Sequence, residues 1–105
     1  MALRIALAQL NFLVGDVQGN ASRLIDTAHR ARVDHAADLI VFPELTLSGY
    51  PPEDLLLHRG MRLQIEAGLK QVRDEIKDIG VILGYPEYSG KDIYNSAALI
   101  APASS

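Results

Sequence analysis

The segment Leu39-Ile40-Val41-Phe42-Pro43-Glu44 sets the terms for everything around it. Four strand-forming residues are cut off by Pro43, whose ring removes the backbone donor a sheet ladder needs. A carboxylate, Glu44, follows at once, in a loop that carries Ser48, Gly49, Pro51 and Pro52. An apolar strand stopped in this way presents the next side chain at a sheet edge. In open α/β sheets the edge at the carboxyl ends of parallel strands is where ligands bind.

The residues upstream supply a partner strand. From Leu3 to Leu10 both alternating sets of side chains are mostly apolar, which predicts a strand covered on two faces. Asn11 to Gly19 reads as a loop, with turn signals at Gly15-Asp16 and Gly19-Asn20. Asn20 is the expected N-cap of a helix, because its side-chain oxygen can accept from a free first-turn N–H. Ala21, Leu24, Ile25, Ala28 and Ala31 then recur at helical spacing, and the helix is expected to run to about Ala36. Strand, helix and strand in this order predict a βαβ unit with parallel strands and a right-handed crossover.

Downstream, Pro52-Glu53-Asp54 is expected to open a short helical turn, with the two acids at the positive end of the helix dipole. His58-Arg59-Gly60 is expected to break or bend it. A second helix is predicted from about Met61 to Asp78, with Ile65, Leu69, Val72, Ile76 and Ile79 on one stripe. Val81 to Leu83 reads as a short third strand, Tyr85 to Asp92 as a connection, and Ile93 to Ala101 as a fourth strand. That connection is too short for a helical crossover, so strands three and four should form an antiparallel hairpin. The order β-α-β-α-β-β predicts an α/β fold, residues 1–105, with helices packed on a mixed sheet. With both helices on one face, the other face needs a cover that these residues do not encode, so the sheet is expected to be incomplete.

Composition excludes several functions. Ten Lys and Arg residues are scattered through a chain of net charge -3, which argues against a nucleic-acid surface. The chain has no Cys, hence no disulfide, no thiolate metal site and no Cys nucleophile of its own. No apolar run approaches the roughly 18 residues of a membrane span, and Met1-Ala2-Leu3-Arg4 lacks the apolar core of a signal peptide. A cytoplasmic location away from membranes is expected.

Glu44 is the leading candidate for chemistry. At the end of a strand, shielded by Phe42 and Leu45, its carboxylate has the placing of a general base, and such shielding would raise its pKa. The competing reading is an ordinary solvated loop glutamate. Tyr50 either lines a pocket or packs against the adjacent prolines. Helix capping accounts for Glu53 and Asp54. His29 and His35 do not share a helix face, and with His58 they are expected to be solvated, so no metal site is expected. The glycines form no phosphate-cradling pattern. The residues by themselves reach an α/β domain with one well-placed glutamate, and no reaction.

Val41-Phe42-Pro43-Glu44-Leu45 followed by Leu47-Ser48-Gly49-Tyr50 resembles the glutamate motif of the nitrilase, or carbon–nitrogen hydrolase, superfamily. The longer string from Ser48 through Tyr50-Pro51-Pro52-Glu53-Asp54 to Leu56 resembles the glutaminase domains of glutamine-dependent NAD synthetases. Arg4 to Asn11 with Val14-Gly15-Asp16 and Gly19-Asn20, Ala37 to Val41, Gly84-Tyr85-Pro86-Glu87 and Tyr94-Asn95-Ser96-Ala97 agree in the same order. The resemblance implies a nitrilase-like sandwich, of which this chain would be the N-terminal part.

It also implies a Glu-Lys-Cys triad that hydrolyses glutamine. The Cys attacks the side-chain amide, the Glu takes the thiol proton, and the Lys stabilises the oxyanion. Only Glu44 carries over, as the base; Tyr50 is a candidate substrate-binding residue from its place after Gly49 alone. The family lysine is expected after the strand matching Ile93 to Ala101, and the cysteine further on; Lys70, Lys77 and Lys91 do not match. The ammonia is expected to pass to an ATP- and Mg-dependent synthetase domain that amidates nicotinic acid adenine dinucleotide to NAD. No cofactor is expected within this chain, which alone should be inactive, and the expected assembly is a homo-oligomer. Two other readings remain: a standalone amidase of a small amide or carbamoyl compound, and a non-catalytic chain that binds a partner or itself through its uncovered sheet face.

Overall fold

Each apolar run pairs with the next one along the chain. The computed structural model describes residues 3–13, 15–43, 46–48, 59–90 and 92–101. In order these form β1 (Ile5–Leu7), α1 (Val17–His35), β2 (Leu39–Val41), α2 (Arg59–Glu75), β3 (Gly80–Ser89) and β4 (Asp92–Ile100). The strands lie side by side as β1-β2-β3-β4. The first three are parallel and β4 is antiparallel to β3, giving the expected open mixed sheet.

Register divides the sheet into two unlike faces. Ala6, Ile40, Val81 and Ile100 align across all four strands. They meet a helical layer in which Val17, Ala21, Leu24, Ile25, Ala28 and Ala31 of α1 and Met61, Ile65 and Val72 of α2 are buried. Each large aliphatic side chain so buried contributes about 1.5–3 kcal/mol. The neighbouring row, Leu7, Val41, Ile82 and Leu99, lies on the opposite face. There Leu7 is 73% and Leu99 69% exposed. The expectation that the first strand is covered on two faces is therefore corrected: Ala6 packs on the core, while Ile5 and Leu7 are exposed.

Four further expectations change. The first strand is only Ile5–Leu7, although Ala8 N still donates to Val41 O at 2.9 Å before the chain turns away. The cap of α1 is Asp16, whose Oδ1 accepts from Gly19 N at 3.1 Å, and Asn20 lies inside the helix. The second helix starts at Arg59 and ends at Glu75, against the expected Met61 and Asp78, while the turn expected from Pro52 lies outside the described residues. Asp16 takes the cap while the Asn20 side chain is held by Leu13 and Leu47. The segment expected to be a connection after the third strand is itself strand, with Pro86 opposite Asn95. Beyond Ile82, β3 pairs with β4 alone among the described residues, so the missing Pro86 donor breaks no second ladder. The true turn is the two-residue link between Ser89 and Asp92, where Gly90 adopts φ 59°. Farther along the hairpin, burial pushes the Tyr88 hydroxyl above its ordinary pKa, partly offset by the nearby Arg62 guanidinium.

Helix ends tie the layers together. Ala36 takes the left-handed conformation, and its N–H donates to Arg32 O at 3.1 Å. Asp38 N donates to Arg4 O at 2.8 Å, and Arg4 N returns a bond to Asp38 Oδ2 at 3.0 Å. His29 Nε2 sits 3.3 Å from Glu75 O, linking α1 to the end of α2.

Candidate functional site

The proline stop works as the sequence suggests. Phe42 N donates to Ile82 O at 2.9 Å, which carries the β2–β3 ladder one residue past Val41. Pro43 then ends it. Phe42 is buried and meets Phe12 edge to face, with ring centroids 6.2 Å apart. Arg23 lies over the Phe12 ring at 5.8 Å and donates to Asn11 O at 2.7 Å, so the chain after β1 is fastened to α1.

Thr46, Leu47 and Ser48, the described residues just beyond the stop, are all buried. The Thr46 hydroxyl donates to Pro43 O. Asn20, 2% exposed, reaches the same segment from α1. Its Nδ2 donates to Leu47 O and to Leu13 O, both at 2.8 Å, and its Oδ1 accepts from Leu13 N at 3.0 Å. Gly15 N donates to Ser48 O at 2.9 Å. That bond comes from a backbone turned to φ 78°, a region glycine enters without steric cost. The loop before α1 and the loop after β2 are thus joined by side-chain and backbone bonds, with Asn20 at the centre.

Beside this corner is a cavity of about 150 Å³, lined by Phe42 and Pro43, Ile82 to Gly84, and Asn95 to Ala97. Its walls are chiefly apolar, with Asn95 and Ser96 adding polar groups from β4. Ser96 Oγ is itself engaged, donating to Glu87 Oε1 at 3.0 Å. A small polar molecule with an apolar stem fits such a recess, at the carboxyl end of β2 where an open sheet binds ligands.

Glu44 and Tyr50 lie outside the described residues, as do Glu53, Asp54 and His58. What the structure supplies is the frame on both sides of Glu44: Pro43 before it and Thr46 to Ser48 after. Asn20 thus joins two loops and is not the expected N-cap. Its spacing was a usable sign, since Asn20 stands four residues before Leu24 on the buried stripe of α1. The contributions of Asn95 and Ser96 arise from hairpin register and have no local signal. Among the described residues, no three metal-ligating side chains converge.

The sequence matches the carbon-nitrogen hydrolase family over residues 4–105. It is 43% identical over 98 residues to the glutamine-dependent NAD(+) synthetase of Xylella fastidiosa; the match takes in 93% of this chain and 18% of that protein. The glutamine-dependent NAD+ synthetase of Acinetobacter baumannii, solved with adenosine diphosphate, superposes with a TM-score of 0.86 at 36% identity, over 94% of this chain and 19% of that one. An amidase from Nesterenkonia sp. AN1 with an active site cysteine superposes with a TM-score of 0.81 at 27% identity, over 93% of this chain and 39% of its own. The chain therefore spans about a fifth of the length of the synthetases it matches. A family match along nearly the whole sequence and a shared fold lead to one conclusion: the chain belongs to the carbon-nitrogen hydrolase family.

Proposed function

We propose that this chain forms the general-base part of a glutamine-hydrolysing site in a glutamine-dependent NAD synthetase. The observation that carries the reading is the corner after β2. There a strand ends at Pro43, the residue that follows is Glu44, and the next described residues are bonded back to α1. The names of the relatives, matched over 93% of this chain, support the substrate assignment.

In this reading the nucleophilic thiol and the oxyanion-stabilising lysine come from protein outside these residues, which contain no Cys. The sulfur attacks the carboxamide carbon of glutamine, and Glu44 takes the thiol proton. The tetrahedral intermediate collapses as Glu44 passes that proton to the departing nitrogen, and ammonia leaves a thioester. Glu44 then takes a proton from water, whose oxygen displaces the sulfur as glutamate forms, and passes that proton to the leaving sulfur to restore the thiol. Tyr50 is assigned to binding glutamine. The ammonia is used in an ATP- and Mg-dependent ligation that converts nicotinic acid adenine dinucleotide to NAD, in a cytoplasmic homo-oligomer. The likeness to the amidase favours a second reading, hydrolysis of a small amide by the same chemistry.

Glutamate release by the full-length gene product tests the proposal. Glu44→Gln keeps the size of the side chain and removes its basicity, and turnover should fall by about 10²–10⁴-fold. Near-normal turnover in that variant rules out the base role. Turnover of a small aliphatic amide in preference to glutamine selects the amidase reading instead.

A further inference from the structure

The bracket around Glu44 has two members to which the chemistry above gives no part. Asn20 occupies a position on the buried stripe of α1 where an aliphatic side chain would serve packing equally well. A buried amide is tolerated there because its bonds are met, and all three go to backbone atoms of two loops. One bond holds Leu47, three residues after Glu44. Thr46, 1% exposed, turns its hydroxyl back to Pro43 O and closes the chain across Glu44 and Leu45.

The geometry points to Asn20 and Thr46 as positioning residues that fix the backbone on either side of Glu44, an inference that rests on the base role proposed above. The fixing is two-sided. Ahead of Glu44, Phe42 N is bonded to Ile82 O, so Pro43 is anchored to β3. Behind it, Leu47 O is bonded to Asn20 and Ser48 O to Gly15 N, so the return segment is anchored to the start of α1. Thr46 connects the two anchors. A general base must lie within about 2.6–3.2 Å of the proton it removes. Misplacement by about 1 Å costs on the order of 10²-fold in rate. Linking the corner to a helix seated in the core gives the base the stiffness of that core.

The test uses the full-length gene product and compares Asn20→Ala and Thr46→Val with Ala31→Gly. The control variant weakens the same helix at its far end, away from the corner. For each, Tm, kcat, the KM for glutamine and the acid limb of the kcat/KM pH profile are measured. Asn20→Ala should lower kcat by about 10–100-fold, with KM changed by less than about threefold and the acid limb displaced. Ala31→Gly should lower Tm while leaving kcat and the acid limb in place. Thr46→Val, which keeps the shape and removes only the hydroxyl, should lower kcat by about tenfold. If Asn20→Ala does not fold, Thr46→Val decides the matter. An unchanged kcat and acid limb in a folded Asn20→Ala or Thr46→Val enzyme overturns the positioning role, while a lost Glu44→Gln effect overturns the base role itself.

Discussion

Asp16 starts α1 by accepting a hydrogen bond at Oδ1 from the Gly19 amide, 3.1 Å away. A Cβ on Gly19 would crowd the Asp16 carboxylate, so a larger residue there would push the capping group aside. The cap also fixes where the helix begins, and with it the rotation that aims Asn20 at Leu13 and Leu47. Asp16→Ala should cost about 1 kcal/mol, as loss of an N-cap does. Denaturant melts of the full-length protein should show this as a lower midpoint at constant slope, and an unmoved midpoint would show that the cap bond contributes nothing.

At the scale of elements, the contact between the two helices decides how near α2 comes to the corner. A Cβ on Gly68 would stand 2.9 Å from Val17 Cγ1 and 3.6 Å from Leu47 Cδ1. The missing side chain lets α2 close over the first turn of α1 and over the buried Leu47 together. On α1, Ala21, Ala28 and Ala31 are also buried, so that helix's core-facing stripe is thin. Gly68→Leu forces a large side chain into this crossing and should destabilise by about 1–3 kcal/mol. The drop should appear in thermal melts, and a Tm equal to that of the parent protein would contradict the close crossing. The long hairpin belongs to this scale as well, because its register carries Asn95 and Ser96 to the cavity beside Phe42.

Over the whole molecule, the two faces of the sheet have opposite fates. One is sealed by α1 and α2; the other presents Leu7, Val41, Ile82 and Leu99 in one row, with Ile5 also exposed on it. A contiguous apolar surface of this kind associates in water. The 105 residues expressed by themselves should therefore self-associate. Replacing both Leu7 and Leu99 with Lys should shift the population toward monomer in light scattering. An already monomeric parent chain, or a mass unaltered by the two charges, would show that this face is not adhesive.

The sequence by itself determined the alternation of strands and helices, the βαβ pairing, the stop at Pro43 and the hairpin between the last two strands. These follow from local rules: apolar periodicity, a ring that removes a donor, and a connection too short for a crossover. Val81 and Leu83 were legible as strand because their side chains enter the core, whereas the strand beyond them was hidden by Pro86, Ser89 and Gly90. Pro86 and Ser89 are tolerated there because, among the described residues, only β4 pairs with that half of β3, while Gly90 lies in the turn beyond it. The choice between Asp16 and Asn20 as cap was also beyond local reading, since either oxygen can satisfy a first-turn amide. It was decided by Leu13 and Leu47, distant in sequence, which claim the Asn20 amide in the folded chain. Sequence placed Glu44 after the strand; the hydrogen bonds that hold the backbone on both sides of it exist only when α1 and β2 come together.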